Sequence, residues 1–291
     1  MPELDSYNCQ NCGAELITDG TTSATSCLYC KSPAIIKTRF SGKFKPKYLI
    51  PFRLTKAQAE EIYRKWIRKK IFAPSEFKTK EEIENVTGIY APFWLFDCNI
   101  DGYIEGEGTK VSHWVQGEYR YTQTKFYRVL RKGLVEYNQV PVDASKKLDD
   151  TLMHKIEPYN YNDLTGFSMQ YMSGFMAEKF DVESEEAKSV MKERVEKYTE
   201  DRLRGTVGGY SSFQVTGKQI TLSDTVESYS MLPIYLLINK YKEKEHAFIV
   251  NGQTGKVVGD TPISFVKQLG FAGSIFAAVW ILAVFGGALF G

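Results

Sequence analysis

Four cysteines near the N-terminus carry the clearest chemistry in the chain. Cys9-Gln-Asn-Cys12 and Cys27-Leu-Tyr-Cys30 are two CxxC knuckles. Each knuckle offers two thiolates from a tight turn, and two knuckles complete the four-sulfur tetrahedral shell that structural zinc prefers. Gly13 follows the second cysteine, where a residue without Cβ suits the turn. Ala14–Ile17 and Thr22–Ser26 are expected to pair as a hairpin across Asp19-Gly20. With sulfur at all four positions no coordination site stays open, so the metal is expected to fold the module and not to catalyse. A redox dithiol or an iron site is the alternative for the same residues.

The charge around these knuckles bears on the partner. Glu3, Asp5, Glu15 and Asp19 oppose only Lys31. A four-thiolate zinc centre adds further negative charge, and a phosphate backbone would be repelled. A protein partner is therefore expected, and nucleic acid is not. The sign reverses at Lys37, Arg39, Lys43, Lys45 and Lys47. That segment reads either as a solvated basic linker or as a contact for anionic lipid or for the acidic ribbon.

The elements that would position a site follow. Thr55-Lys-Ala-Gln58 is a capping-box start. Ala59, Ile62, Tyr63, Trp66, Ile67 and Ile71 form one apolar helical face, opposite a solvated face of Arg64, Lys65, Arg68 and Lys69, with Pro74 as the limit. A second helix begins at Ser184, with Glu185 and Glu186 in its first turn and Gly205 at its end. Ala187, Val190, Met191, Val195 and Tyr198 are its apolar stripe. Tyr90–Phe96 opens a run to Val111 that, with the alternating stretches around Tyr119, Tyr121, Phe126 and Tyr127, reads as a meander of antiparallel strands reaching about Val142, and Phe213–Thr221, Met231–Ile238 and Ala247–Val250 read as further strands. Pro92 favours a strand start or an edge. Ala91–Phe96 and Leu232–Leu237 each follow a helix and suggest a weak internal repeat. The fold class expected is α+β.

The run Leu269–Gly291 contains no charge, and as a helix it would measure about 35 Å, enough for a hydrocarbon core of about 30 Å. It predicts a transmembrane helix over 266–291. Lys256 and Lys267 before it, and the absence of a leader at Met1, predict a single-pass cell-membrane protein with a cytoplasmic body. Gly270, Ser274 and Ala278 recur at the spacing of close helix–helix contacts. The chain ends inside this run, which leaves open further apolar sequence. The expected domains are a zinc ribbon at 1–35, a basic linker at 36–47, an α+β body at 48–265 and the terminal helix.

Catalytic patterns are sparse. His113, His154 and His246 lie in different segments, and none has a metal-pair neighbour. Asn251–Lys256 (NGQTGK) lacks phosphate-loop spacing and predicts a tight hairpin. Cys98 has no partner at ligand spacing and reads as a core thiol.

The chain resembles bacterial zinc-ribbon membrane proteins of the YdjG type, often labelled from the ribbon alone as relatives of a transcription factor or a replication-restart helicase. The resemblance rests on the CxxC pair, on IPF at Ile50–Phe52 and on YAPFWLFD at Tyr90–Asp97. It extends to MSGFMAEKFDV at Met172–Val182, LPIYLL at Leu232–Leu237 and NGQTGKVVGDTP at Asn251–Pro262. It implies a role near phage-shock-protein-A-like and flotillin-like (SPFH) proteins in membrane stress. Residues and resemblance together predict a non-enzymatic, zinc-dependent membrane adaptor that recruits a soluble protein. Two rival readings are a nucleic-acid-binding ribbon and an enzyme with a pocket in the body.

Overall fold

The computed structural model describes residues 42–280 in full, with four short N-terminal strands and the backbone of the last helix as far as Phe290. Along the chain come β1 (Leu4–Asn8), β2 (Glu15–Asp19), β3 (Thr22–Ser26), β4 (Pro33–Ile35), β5 (Tyr48–Leu49), α1 (Lys56–Arg68) and α2 (Lys80–Glu84). Two long strands follow, β6 (Thr87–Gln116) and β7 (Tyr119–Asp143), then α3 (Asp150–Lys155), β8 (Thr165–Gly166), β9 (Met176–Glu178) and α4 (Ser184–Gly205). A third long strand, β10 (Ser212–Tyr241), leads to β11 (Lys244–Asn251), β12 (Val257–Gly259) and α5 (Phe265–Phe290).

Nearly all strands join one sheet, in the order β12-β11-β10-β6-β9-β3-β4, with β7 beside β6 and β5 beside β10. Its spine is the antiparallel ladder of β6 with β10, which runs from Leu236↔Thr87 to Ser212↔Thr109. The two proline-containing stretches thought to be a repeat lie against each other here, with Met231 opposite Pro92 and Pro233 opposite Tyr90. Both prolines are inside central strands, and for Pro92 that departs from the strand start or edge expected. The reason is local. Pro92 falls between the residues of β6 paired to β9, Ile89 and Tyr90, and those paired to β7, from Phe93 onward. Pro233 falls between the pairing of β10 to β5, at Ser230 and Met231, and to β11, from Ile234. Each proline sits where its strand changes outer neighbour, so the missing N–H interrupts no continuous ladder.

Three apolar clusters pack on the sheet. α4 lays Ala187, Met191 and Val195 against Phe96, Cys98 and Ile100 of β6. α3 covers Ile89, Ala91 and Phe93 with Leu152, Met153 and Ile156. α1 places Ala59, Tyr63 and Ile67 over Leu237, Phe248 and Val250. Each large side chain fully buried in these clusters contributes on the order of 2 kcal/mol. The capping box forms as expected: Gln58 N donates to Thr55 Oγ1 at 3.3 Å, and Thr55 N to Gln58 Oε1 at 2.8 Å. The Asn251 hairpin also forms, with Asn251 Oδ1 accepting the amides of Gln253 and Thr254, both at 2.9 Å.

Several expectations are corrected. The body is mostly β-sheet with helices packed on it, and not the balanced α+β arrangement. Stretches read as separate strands are continuous. Phe213–Thr221 and Met231–Ile238 belong to one strand, bent by a bulge at Asp224, whose φ is 51°. β2 pairs with β1, and β3 pairs with β4 and β9, in place of the hairpin proposed across Asp19-Gly20. On α4, Val190 and Tyr198 are exposed, while Thr199 and Leu203 join the buried stripe. The helix is capped from Glu183, and Ser184 is its first residue.

The terminal span is the largest correction. No helix among the described residues is long and apolar enough to cross a membrane. The first turns of α5 are tied to the body. Ser264 N donates to Phe72 O at 2.8 Å, Lys267 Nζ donates to Ala73 O at 2.6 Å, and the Phe271 ring meets Phe72 edge-on at 5.5 Å. The single-pass assignment and the membrane location built on it therefore do not hold. Gly270, Ser274 and Ala278 lie on exposed turns of this helix, with Ser274 Oγ donating to Phe271 O at 2.7 Å.

Glycines let helix and sheet approach. A Cβ on Gly102 would lie 2.6 Å from Thr199 Cγ2 and 3.1 Å from Leu203 Cδ1, whereas one on Gly133 would meet Leu203 Cδ2 at 3.7 Å. Gly102→Ala is expected to destabilise the fold by about 1–3 kcal/mol through overpacking. Gly133→Ala, across the same pair of strands, is expected to be neutral or mildly stabilising. Denaturant unfolding of the two variants checks this, and equal effects would contradict the packing described.

Candidate functional site

The three long strands extend past the helices as an arm. Side chains of Cys98, Ile100, Gly102 and Ile104 on β6 face α4, and their cross-strand partners on β7 share that face. α4 holds the root of the arm through Thr199 Oγ1 and the Tyr137 hydroxyl at 3.0 Å, and through Lys218 and Glu200 at 2.8 Å. Coverage ends with Leu203, over Gly102 and Gly133. The chain then returns to the sheet with the Tyr210 ring over Gly108, where a Cβ would come within 2.7 Å of it. β10 joins at Ser212, whose Oγ lies 2.6 Å from Thr109 Oγ1. Beyond that pair the arm is a two-stranded ribbon closed by Gly117, which has a φ of 62°.

A two-stranded ribbon has little core of its own. Cross-strand pairs hold it. Trp114 and Tyr121 face each other and stack, with centroids 5.5 Å apart and planes 11° from parallel. Lys110 Nζ lies 5.5 Å from the centre of the Tyr127 ring and 5.4 Å from that of Tyr210. On the other face, strand alternation brings Val111, Val115, Phe126, Leu130 and Leu134 to one side, all exposed, with Leu134 83% accessible. Charged pairs sit among them: Arg128 with Glu105 at 2.6 Å and Lys132 with Asp101 at 3.1 Å. The Arg128 guanidinium, and then the Tyr103 hydroxyl, hold the Glu105 carboxyl below its ordinary range. Tyr119, Tyr121, Phe126 and Tyr127 were legible as strand residues; the exposure of Tyr119, Tyr121 and Tyr127 depends on where α4 stops, and Phe126 stands on the opposite face.

A second feature lies at the root of β7. Val142, Asp143, Leu148, Asp150, Glu186 and Arg194 help to line a cleft of about 440 Å³ between the strand, the start of α3 and the first turns of α4. Neither carboxylate oxygen of Asp143 has a hydrogen-bond partner among the described residues. Burial raises its pKa to about 8, and Asp150 adds to the shift. The nearby amides of Ser145 and Ala144 offset part of it. Arg194 is engaged elsewhere, donating to Pro141 O at 2.6 Å and to Glu157 Oε1 at 3.1 Å.

The residues singled out from sequence are dispersed. Cys9, Cys12, Cys27 and Cys30 lie outside the described residues, as do Lys37 and Arg39. Among the described residues no group of three or more His, Cys, Asp or Glu could hold a metal ion, so the body gives the metal-binding expectation no support. Cys98 is a core thiol, 3.9 Å from Met191 Sδ, and burial followed by the Asp97 carboxylate pushes its pKa up. His113 pairs with Thr122 on the arm, His154 with Glu157 beside α3, and His246 lies against Phe77 on β11, so the three occupy separate elements. Of the basic segment, Lys43 reaches Glu183 at 2.7 Å, and Lys47 lies over the Tyr48 ring.

This architecture, a sheet whose central strands run out into an arm, has a counterpart in sequence. A Bacillus subtilis (strain 168) protein, YdjG, is 38% identical over 96% of this chain and 97% of its own length. The chain belongs to the YdjG family. The relative is described as uncharacterized, and its name carries no metal, partner or activity. No family model and no solved structure matches the chain.

The buried carboxyl of Asp143 makes stability depend on pH. Between its ordinary value of 3.8 and about 8, the folded protein retains a proton that the unfolded chain has released. Its contribution is therefore fully present below about pH 4 and is lost as the pH rises to about 8. Asp143→Asn, which stays neutral, is expected to raise the melting temperature at pH 8 and to change it little at pH 4. Thermal melts across that range test this, and a shift independent of pH would refute it.

Proposed function

We propose that this protein is a non-catalytic adaptor whose arm engages a protein partner. The observation that carries the reading is that β6 and β7 continue beyond the end of α4 with large apolar side chains exposed on both faces, among them Trp114, Tyr121, Phe126 and Leu130. A ribbon built only for its own stability would turn such residues toward a core. The separate placement of the three histidines fits a binding role better than catalysis.

The N-terminal cysteines enter this reading as a structural element. Cys9, Cys12, Cys27 and Cys30 are proposed to hold one zinc ion, and the support is their spacing in the sequence. Metal analysis of the purified full-length chain is expected to give one zinc per molecule, reduced to none in Cys9→Ser/Cys12→Ser. A wild-type protein purified without metal under reducing conditions would remove this part.

The arm is tested by a photo-crosslinking amino acid placed at Phe126 or, as a control, at Ile71, which is also exposed. Position 126 is expected to give discrete adducts with a heterologous protein in cells of the source organism, and position 71 to give none of them. Leu130→Ser/Leu134→Ser is expected to reduce the adduct yield about tenfold, corresponding to about 1.4 kcal/mol. Absence of adducts along the arm would defeat the adaptor reading.

A further inference from the structure

The arm has two long edges, and they differ. The outer edge of β10, from Ser212 to Tyr229, is interrupted by irregularities between Val215 and Gly217 and between Ser223 and Val226. It carries Lys218, Asp224 and Glu227. β7 pairs with β6 alone, and from Tyr119 to Tyr137 its register is unbroken. Its outer edge accordingly offers a straight row of backbone donors and acceptors, bonded to no other strand among the described residues.

The side chains along this edge limit what can pair with it. Arg120, Lys125, Arg128, Arg131 and Lys132 lie on β7, against Glu136. Arg128 and Lys132 are matched within the sheet by Glu105 and Asp101. A β7 edge brought antiparallel against the β7 of a second copy would set this basic stretch against itself, which destabilises a strand pair. Cations on an edge also guard against unselective pairing. Phe126, Leu130 and Leu134 stand at every fourth position on the face that also carries Arg120, Arg128 and Lys132, while Lys125 and Arg131 stand on the opposite face. An added strand that alternates apolar and acidic residues would set its apolar side chains beside Phe126, Leu130 and Leu134 and its acids beside Lys125 and Arg131 on the opposite face. Its backbone would complete the edge, as in recognition by strand addition.

We propose that the β7 edge between Tyr119 and Glu136 takes up an extended, acidic segment of the protein partner as an additional strand of the sheet. The proposal rests on the adaptor reading and specifies the chemistry of its partner.

The probe is a short synthetic peptide alternating glutamate and isoleucine, compared with its lysine counterpart. Both are titrated by fluorescence anisotropy into the full-length protein, and hydrogen exchange is followed in parallel. The glutamate peptide is expected to bind, to slow exchange of alternate β7 amides within 119–136, and to weaken as salt rises. The lysine peptide is expected not to bind. Lys125→Glu/Arg131→Glu changes the two cations that would face the acids, both outside the ion pairs described above, and is expected to weaken the glutamate peptide about tenfold with the melting temperature preserved. Equal binding of both peptides, no binding of the glutamate peptide, or binding without slowed β7 amides overturns the edge assignment. The adaptor reading survives each of these results if position 126 still crosslinks to a protein partner, and falls with the edge assignment if it does not.

Discussion

Everything in this molecule hangs on the ladder between β6 and β10. It runs through the centre of the described sheet, and α3 and α4 pack on it, while α1 packs on β11 and the neighbouring end of β10. Antiparallel pairing satisfies the backbone along its whole length, so the strands can leave the body without exposing unpaired central groups. The body is the part of the ladder that has helices on it, and the arm is the part that does not. The two prolines mark the points where each central strand exchanges one flanking strand for another, which is how a few long strands support many short ones.

The same ladder explains the division between a tightly packed body and an exposed limb. α4 fits closely only because Gly102 gives room to Thr199 and Leu203. When the helix stops, the chain that follows it covers only part of that face, with Tyr210 beside Tyr127, and Trp114 and Tyr121 beyond it are exposed. Asp143 sits at the other end of the hairpin, where β7 turns back into the body and loses solvent on most sides. Its raised pKa reflects burial among neighbouring carboxylates, and so places an energetic cost at the junction of arm and body.

What was legible in the sequence was local. Thr55 and Gln58 announce a helix start through four adjacent residues, and Asn251-Gly252 announces a turn in the same way. Cys98 was legible as a core thiol because it had no partner. The length of the strands was not legible. Gly102, Gly106, Gly108 and the polar run around Ser223–Glu227 look like breaks, yet they serve close packing and a bulge within continuous strands. Nor was the wet arm legible, because aromatic residues alternating with polar ones describe a half-buried strand equally well. The terminal apolar run was over-read from hydropathy alone. Lys267 and Phe271 anchor its start to Ala73 and Phe72, contacts that come from a loop nearly two hundred positions earlier.

The arm also has a mechanical meaning. From Gly102, where helix cover ends, to Gln116 at the turn, the strand rise sets a reach on the order of 45 Å. No linker intervenes, since β6 is the same strand that carries Phe93 and Phe96 into the core. An object gripped near the turn is therefore held at a fixed stand-off and bearing from the body. A flexible tether of equal residue count would leave both free. The arm is in this sense a ruler, graduated in strand residues, and removing two residues from each strand would bring its turn inward by about 7 Å while leaving the face it presents unchanged.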